Sequence, residues 1–331
     1  MPAARWVDFV GQEIFHTFVA ALVVEALVRL WRVREPQQRL ALRLMVLGYS
    51  LPVLPAYFLL FPERAGEAFR DFRALFAAAR WDEMGLLGVG LYRWWVGLFA
   101  AIGLLLFLMD LLPLLWGRRG GIPPESAALS PQAQAASAVL AELSAGMGVA
   151  RPRLVFLAEG GPALFCAGAR NPALVISRSA VDLLDRQELR AAVAHELAHL
   201  DRLDPSVSWV LMAGRAAMFF NPAFQVVARA MARDAEWRAD ERAAAGTGDR
   251  LALASGLLKL YRATAGRPPV PGRRNLPLAA ALAEPLARAR ALDIEFRCRR
   301  LMQPAPAPVP FGALRLAATA ASLSVLLFFV V

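Results

Sequence analysis

Apolar positions in this chain form long unbroken runs towards both ends and short periodic ones between. Four runs approach bilayer length. Residues 14–31 make a marginal span, with His16 near the start and Glu25 near the middle. Residues 40–61 make a better one, interrupted by Pro52 and Pro55, which membrane helices tolerate as kinks. Residues 94–116 are the strongest, with Trp94, Trp95 and Trp116 at the ends, where the bilayer meets water. Residues 311–331 close the chain on Val-Leu-Leu-Phe-Phe-Val-Val. A further apolar run, 206–232, contains Arg215 and Asn221-Pro222. A charge and a proline inside it favour two amphipathic helices over a fifth span.

The pattern shortens between 118 and 305. Residues 117–124, rich in Gly and Pro, read as a linker. Ser130-Pro131 opens a helix to about Met147, with serine as the cap and proline in the first turn. Three strands follow at 153–157, 164–169 and 173–177, the last two joined by the turn Arg170-Asn171-Pro172. A helix runs from Leu183 to Leu203, with a break near Asp185. Leu189, Val193, Leu197 and Leu200 form a stripe along it. The loop 266–275, a basic helix to Met302 and a stiff Pro-rich linker at 303–310 lead into the last span. No internal repeat is apparent.

Composition sharpens this into a topology. The 331 residues are 58% hydrophobic, which points to the membrane. The net charge of +10 is almost wholly arginine. These arginines sit beside apolar runs and no nucleic-acid motif accompanies them, so they read as topology signals and not as a nucleic-acid surface. Arg29, Arg32, Arg34, Arg39 and Arg43 follow the first run, and Arg118-Arg119 follow the third. The positive-inside rule puts both groups in the cytoplasm and leaves 62–90 outside. The expectation is an α-helical protein of a bacterial inner membrane. Residues 1–117 would be three spans, 118–305 a cytoplasmic α+β domain, mostly helical with a small sheet, and 306–331 a last span. The start lacks a basic segment and a cleavage site, so no signal peptide is expected. Cys166 and Cys298 give no disulfide framework. Glu25 and Asp110 fall inside expected spans, where ionisable groups either serve function or sit at a water-facing position.

The chemistry is concentrated in His195-Glu196-Leu-Ala-His199, which holds two of the chain's three histidines. On a helix, residues four apart share a face, so both imidazoles can reach one metal ion. Glu196 is turned about 100° from His195, close enough to hold a water beside that ion. This is zinc-hydrolase geometry, and a catalytic zinc takes three protein ligands. His16 is expected across the membrane, so the third ligand should be a carboxylate: Glu236, Asp204, Asp240, Asp201 or Glu188. Glu236 is favoured, because Arg233 and Asp240 share its helical face and are placed to orient it. Asp204 fits as an acceptor for an imidazole N–H. The competing reading of 229–241 is a solvated charged face. Arg233 or Asn221 is available to stabilise an oxyanion. A peptide substrate can add as a strand near Leu164–Ala167 or Ala173–Ser177.

Three segments together carry a family resemblance: Ala194-His195-Glu196-Leu-Ala-His199-Leu-x-Arg-x-Asp204, Phe220-Asn221-Pro222 and Arg233-x-x-Glu236-x-x-x-Asp240. They resemble the membrane gluzincins, both the BlaR/MecR-type antirepressor peptidases and the HtpX and CAAX-prenyl protease group. Three spans, a zinc domain and one span are similar to the BlaR type, as is the run Ile294-Glu-Phe-Arg-Cys-Arg-Arg300. The resemblance implies one zinc held by His195, His199 and Glu236, Glu196 as catalytic base, and Asp204 and Asp240 in support. It implies an endopeptidase acting on cytosolic or membrane-proximal proteins. BlaR-type sensors continue into an extracellular beta-lactam-binding domain and this chain stops at Val331, so the peptidase carries over and the signal does not. The rival readings are a receptor that uses the peptidase fold without cutting, and a transporter built on Glu25 and Asp110.

Overall fold

A computed structural model describes residues 2–50, 52–74, 84–87, 89–117, 130–168, 171–200, 205–264, 277–304 and 312–330. The expected linkers at 117–124, 266–275 and 303–310 lie wholly or largely outside these residues, as do Arg170, Asp201 and Asp204. The elements in chain order begin with helices α1 (Pro2–Leu30), α2 (Pro36–Ser50), α3 (Val53–Leu60) and α4 (Glu67–Phe72). A short hairpin of β1 (Gly85–Leu86) and β2 (Val89–Gly90) precedes α5 (Leu91–Gly117) and α6 (Pro131–Met147). Then come β3 (Arg153–Leu157), β4 (Leu164–Ala167), β5 (Ala173–Ser177), α7 (Arg178–Leu183) and α8 (Arg186–Leu200). The remainder is α9 (Pro205–Ala217), α10 (Pro222–Thr247), α11 (Arg250–Thr264), α12 (Pro277–Leu301) and α13 (Ala313–Phe328). The chain is mostly helical with a small sheet, as expected.

Contacts divide it into two units: Met1–Trp116 with Val207–Ala235 and Pro306–Val331, and Gly117–Ser206 with Glu236–Ala305. In the first unit, Pro52 separates α2 from α3, so the run 40–61 is two helices and not one kinked helix. Among the described residues one helix is long and apolar enough to cross a membrane, over Leu91–Leu111 of α5, and α13 is apolar but shorter.

The run 206–232 is indeed two helices, and they pack within the first unit, although their place in the chain put them inside the expected 118–305 domain. Asp110 of α5 pairs with Arg215 of α9 and, at 2.9 Å, with Arg229 of α10. Two turns before Asp110, a Cβ at Gly103 would stand 2.4 Å from the carbonyl carbon of Phe220. Only glycine lets the Phe220–Asn221 turn lie so close to α5. Asn221 caps α10: its Oδ1 accepts from Phe224 N at 3.1 Å, and its Nδ2 donates to Thr17 Oγ1 at 2.8 Å. Asp234 is fully buried and held by Arg43 and, at 3.2 Å, by Arg39. Arg43 also reaches Glu25 at 2.9 Å. The two acids noted inside the expected spans are therefore both ion-paired within this unit.

In the second unit the sheet order is β3-β5-β4, with β5 parallel to β3 and antiparallel to β4. β5 is buried along its whole length. This corrects one expectation: Ala173–Ser177 is the central strand and cannot accept a peptide, whereas β4 is an edge. One face of the sheet, with Phe156, Leu174 and Ile176, shares a core with Leu140 and Leu143 of α6, Leu253 of α11 and the α8 stripe. Leu189, Val193 and Leu197 of that stripe are buried and Leu200 packs against them. The Ser130 hydroxyl caps α6 at Ala133 N, 3.1 Å away, a cap of about 1 kcal/mol. Gly168 ends β4 at φ +93°, where a Cβ would stand 2.7 Å from Asn171 O.

The histidine helix α8 begins after a break at Leu184-Asp185. Asp185 Oδ1 accepts from Glu188 N at 2.9 Å, and Glu188 Oε2 accepts from Asp185 N at 2.9 Å. This reciprocal capping box fixes where the helix starts. Glu188 is buried, and its carboxylate also accepts from Ser255 Oγ and Lys259 Nζ of α11, each at 2.6 Å. Burial raises its pKa, but Lys259, Ser255 and the Asp185 N–H together hold it below the usual 4.5. The stabilisation is therefore present above about pH 4.5 and is lost as pH falls through the lower, folded value. Glu188→Gln should cost about 2 kcal/mol at pH 7. In thermal melts at stepped pH, its deficit against wild type should shrink below pH 4.5.

Candidate metal centre

Helix α8 packs against α6, α11 and β4, and one end of it carries both histidines. His195 is buried and His199 half-buried. Their Nε2 atoms lie 3.2 Å apart, and the rings are nearly perpendicular. Glu236 of α10 completes a triangle: Oε2 is 3.5 Å from His195 Nε2, and Oε1 is 3.5 Å from His199 Nε2. The donor atoms all lie within 4.8 Å of one another. A tetrahedral ion with bonds of about 2.0–2.1 Å holds its donors roughly 3.3 Å apart. The triangle has that size, and two imidazoles with one carboxylate are a donor set that suits zinc.

Asp240 and Arg297 hold this arrangement in place. Asp240 Oδ1 is 2.9 Å from His195 Nδ1, which turns Nε2 towards the other two donors. Arg297 of α12 is buried and donates to both Asp240 oxygens, from Nε at 2.8 Å and from Nη2 at 2.7 Å. Its Nη1 reaches Glu236 Oε2 at 3.0 Å. One guanidinium thus orients a donor and the support of another. Helix α12 is locked to α10 beside it: Phe296 stacks on buried Trp237 at 5.1 Å, and Arg300 lies over the same ring.

The charges follow from these contacts. Burial opposes a proton on His195, but Asp240 and Glu236 outweigh it and raise the free site's pKa to about 9. His199 is held below its usual value, first by burial and then by the charge on His195. Burial alone would raise the carboxylates, yet Arg297 and His195 bring Asp240 down to about 2 and keep Glu236 below 4.5. A metal held here would compete with a proton for His195.

Glu196 stands apart from the triangle. Its Oε2 accepts from the backbone N–H of Cys166 on β4 at 2.9 Å. Burial, with a smaller push from Glu236, raises its pKa. A carboxylate made more basic beside a metal site is equipped to take a proton. Its own burial and the nearby Glu196 push the Cys166 thiol up to about 12, away from the reactive thiolate form.

The structure thus brings together His195, Glu196, His199, Glu236 and Asp240, with Cys166 of β4 bonded to Glu196. It does not bring in Arg233, which is exposed on α10, and the arginine on Glu236 is Arg297 instead. Nor does Asn221 serve: it is fully buried in the first unit and its amide is spent on the cap and on Thr17. Ala167 faces β5 in the ladder, and the outward-facing residues of β4 are Leu164 and Cys166. Glu188, weighed as a ligand, holds Lys259. Sequence reasoning missed Arg297, whose only signal was its place in the run 294–300.

A histidine pair and a glutamate gathered beside a strand that is an edge among the described residues are what a metallopeptidase would use. The profile of the family described as BlaR1 peptidase M56 matches residues 94–275, more than half of the chain. The chain belongs to that family of membrane metallopeptidases. It is also similar to curated proteins named protease HtpX homolog. The one from Ralstonia pickettii is 32% identical over 160 residues, covering 38% of this chain and 56% of the relative. That from Pseudarthrobacter chlorophenolicus is 32% identical over 167 residues, covering 41% and 57%. That from Salinibacter ruber is 30% identical over 145 residues, covering 35% and 52%. The chain spans about half the length of the curated relatives it matches. No solved structure matches it.

Proposed function

We propose that this chain is a multi-pass membrane zinc endopeptidase whose second unit works at the cytoplasmic face on extended segments of protein substrates. The observation that carries this reading is the donor triangle of His195, His199 and Glu236 beside Glu196, itself bonded to the edge strand. The four apolar runs, and the arginines after the first and third, support the membrane topology.

Zinc, when bound, supplies a Lewis acid that polarises the scissile carbonyl and brings a neighbouring water to a pKa of about 7. The chain supplies the rest. His195, His199 and Glu236 hold the ion. Asp240 keeps His195 in the tautomer that offers Nε2, and Arg297 keeps Asp240 and Glu236 in place. Glu196 takes the proton of the attacking water and passes it to the leaving amine. The peptide lies antiparallel along β4, where Leu164 and Cys166 turn backbone groups outward. Cys166 N–H holds Glu196 against that slot, so the base stands beside the bond to be cut.

Detergent-purified chain should cleave an unstructured protein. Chelation should abolish the cleavage, and stoichiometric zinc should restore it. Cleavage that persists in chelator with the metal gone would overturn the metal mechanism. Stable zinc binding with no cleavage of any unstructured protein would favour the receptor reading.

A further inference from the structure

We propose that Phe165 forms a substrate subsite that selects a large apolar side chain at one position of the polypeptide cut by this site. The inference rests on the peptidase reading above and names the residue that gives it sequence preference.

The ladder of β4 decides the geometry. Ser177 N donates to Ala163 O at 2.9 Å, so Ala163 is a hydrogen-bonded partner of Ser177. Antiparallel pairs alternate, so Phe165 and Ala167 turn their backbone groups towards Val175 and Ala173. Leu164 and Cys166 turn theirs to the open edge, which agrees with Cys166 N–H meeting Glu196. A substrate strand bonds to both backbone groups of Leu164 and to the carbonyl of Cys166, and one of its residues then stands directly opposite Phe165. That pair is the close, non-hydrogen-bonded kind, with Cβ atoms roughly 4.5–5.5 Å apart and both side chains on one face.

That face is apolar. Leu164 and Cys166 point into the helix-covered core, and Phe165 points to the opposite side. There Val155, Ala173 and Val175 are buried, with Leu157 and Ala167 packed against them. Register aligns Val155, Val175 and Phe165 as one row across the sheet. Phe165 ends the row and is 46% exposed. The next place in the row belongs to the bound strand, and a Leu, Ile, Met, Phe or Tyr there covers the ring. A charged side chain would leave it open to water.

The test is the cleavage-site profile of one unstructured protein, casein, read by mass spectrometry. It compares the detergent-purified full chain with Phe165→Ala, Phe165→Trp and Phe165→Glu, with zinc content measured in each. Wild type and Phe165→Trp should enrich large apolar residues at one position near the scissile bond. Phe165→Ala should lower that enrichment about fivefold and leave the other positions unchanged. Phe165→Glu should replace it with Lys and Arg at the same position. Identical profiles for all four zinc-loaded proteins would overturn the role of Phe165 and leave the peptidase reading standing. No cleavage by zinc-loaded wild type would overturn the peptidase reading itself, and this inference with it.

Discussion

Glu196→Gln should bind zinc as wild type does and cut peptides about a thousandfold more slowly. The expectation rests on what the substitution keeps. A glutamine Oε1 still accepts from Cys166 N–H, so the side chain stays against β4. His195, His199 and Glu236 are untouched, so metal stoichiometry should not change. What disappears is the basicity that burial and Glu236 raise in the carboxylate. The loss should fall on kcat, with KM little altered, because the group acts on the proton and not on the bound strand. Metal analysis beside single-turnover cleavage checks it. A variant that cleaved at the wild-type rate would move the base elsewhere.

Arg297→Ala should weaken zinc binding by about 10- to 100-fold and destabilise the second unit by about 3–5 kcal/mol. Removing the guanidinium strands Asp240, a buried carboxylate that otherwise meets it at 2.7 and 2.8 Å. Glu236 loses a partner at 3.0 Å and with it one of its fixed positions. Arg297→Lys should rescue only in part, since one ammonium cannot serve both Asp240 oxygens and Glu236. Competition against a chromophoric chelator gives the affinity, and thermal melts with and without excess zinc give the stability. Arg297→Ala that held zinc as tightly as wild type would show that Asp240 and Glu236 orient themselves.

The histidine helix was legible because its signals are local. The His-Glu-x-x-His spacing and the stripe of three leucines and Val193 lie within a few turns of one another, and the Ser130-Pro131 start of α6 is as local a signal. Glu236 was one of five carboxylate candidates, favoured for the helical face it shares with Asp240, and its oxygens lie 3.5 Å from each histidine Nε2. Arg297 was not legible, because it is one of several arginines in α12 and only tertiary packing around Trp237 and Phe296 brings it to the site. Arg233 looked better on helical spacing, but spacing along one helix does not say which face meets a partner. The sheet order had a signal that went unread: Leu174-Val175-Ile176 is an unbroken apolar run, the mark of a strand covered on both faces. The placement of 207–235 depended on Asp110 and Gly103, which nothing in the apolar pattern connects to it.

The bond from Cys166 N–H to Glu196 has a consequence for how copies of this protein behave together. An open strand edge is a template on which identical chains can stack. β4 has only four residues, and on its outer side Glu196 takes the N–H of Cys166. That leaves the two groups of Leu164 and the carbonyl of Cys166, the groups a substrate strand would use, and no further ladder along which identical edges could extend. The carboxylate proposed as the base would then also limit how far copies of the protein could stack through that edge.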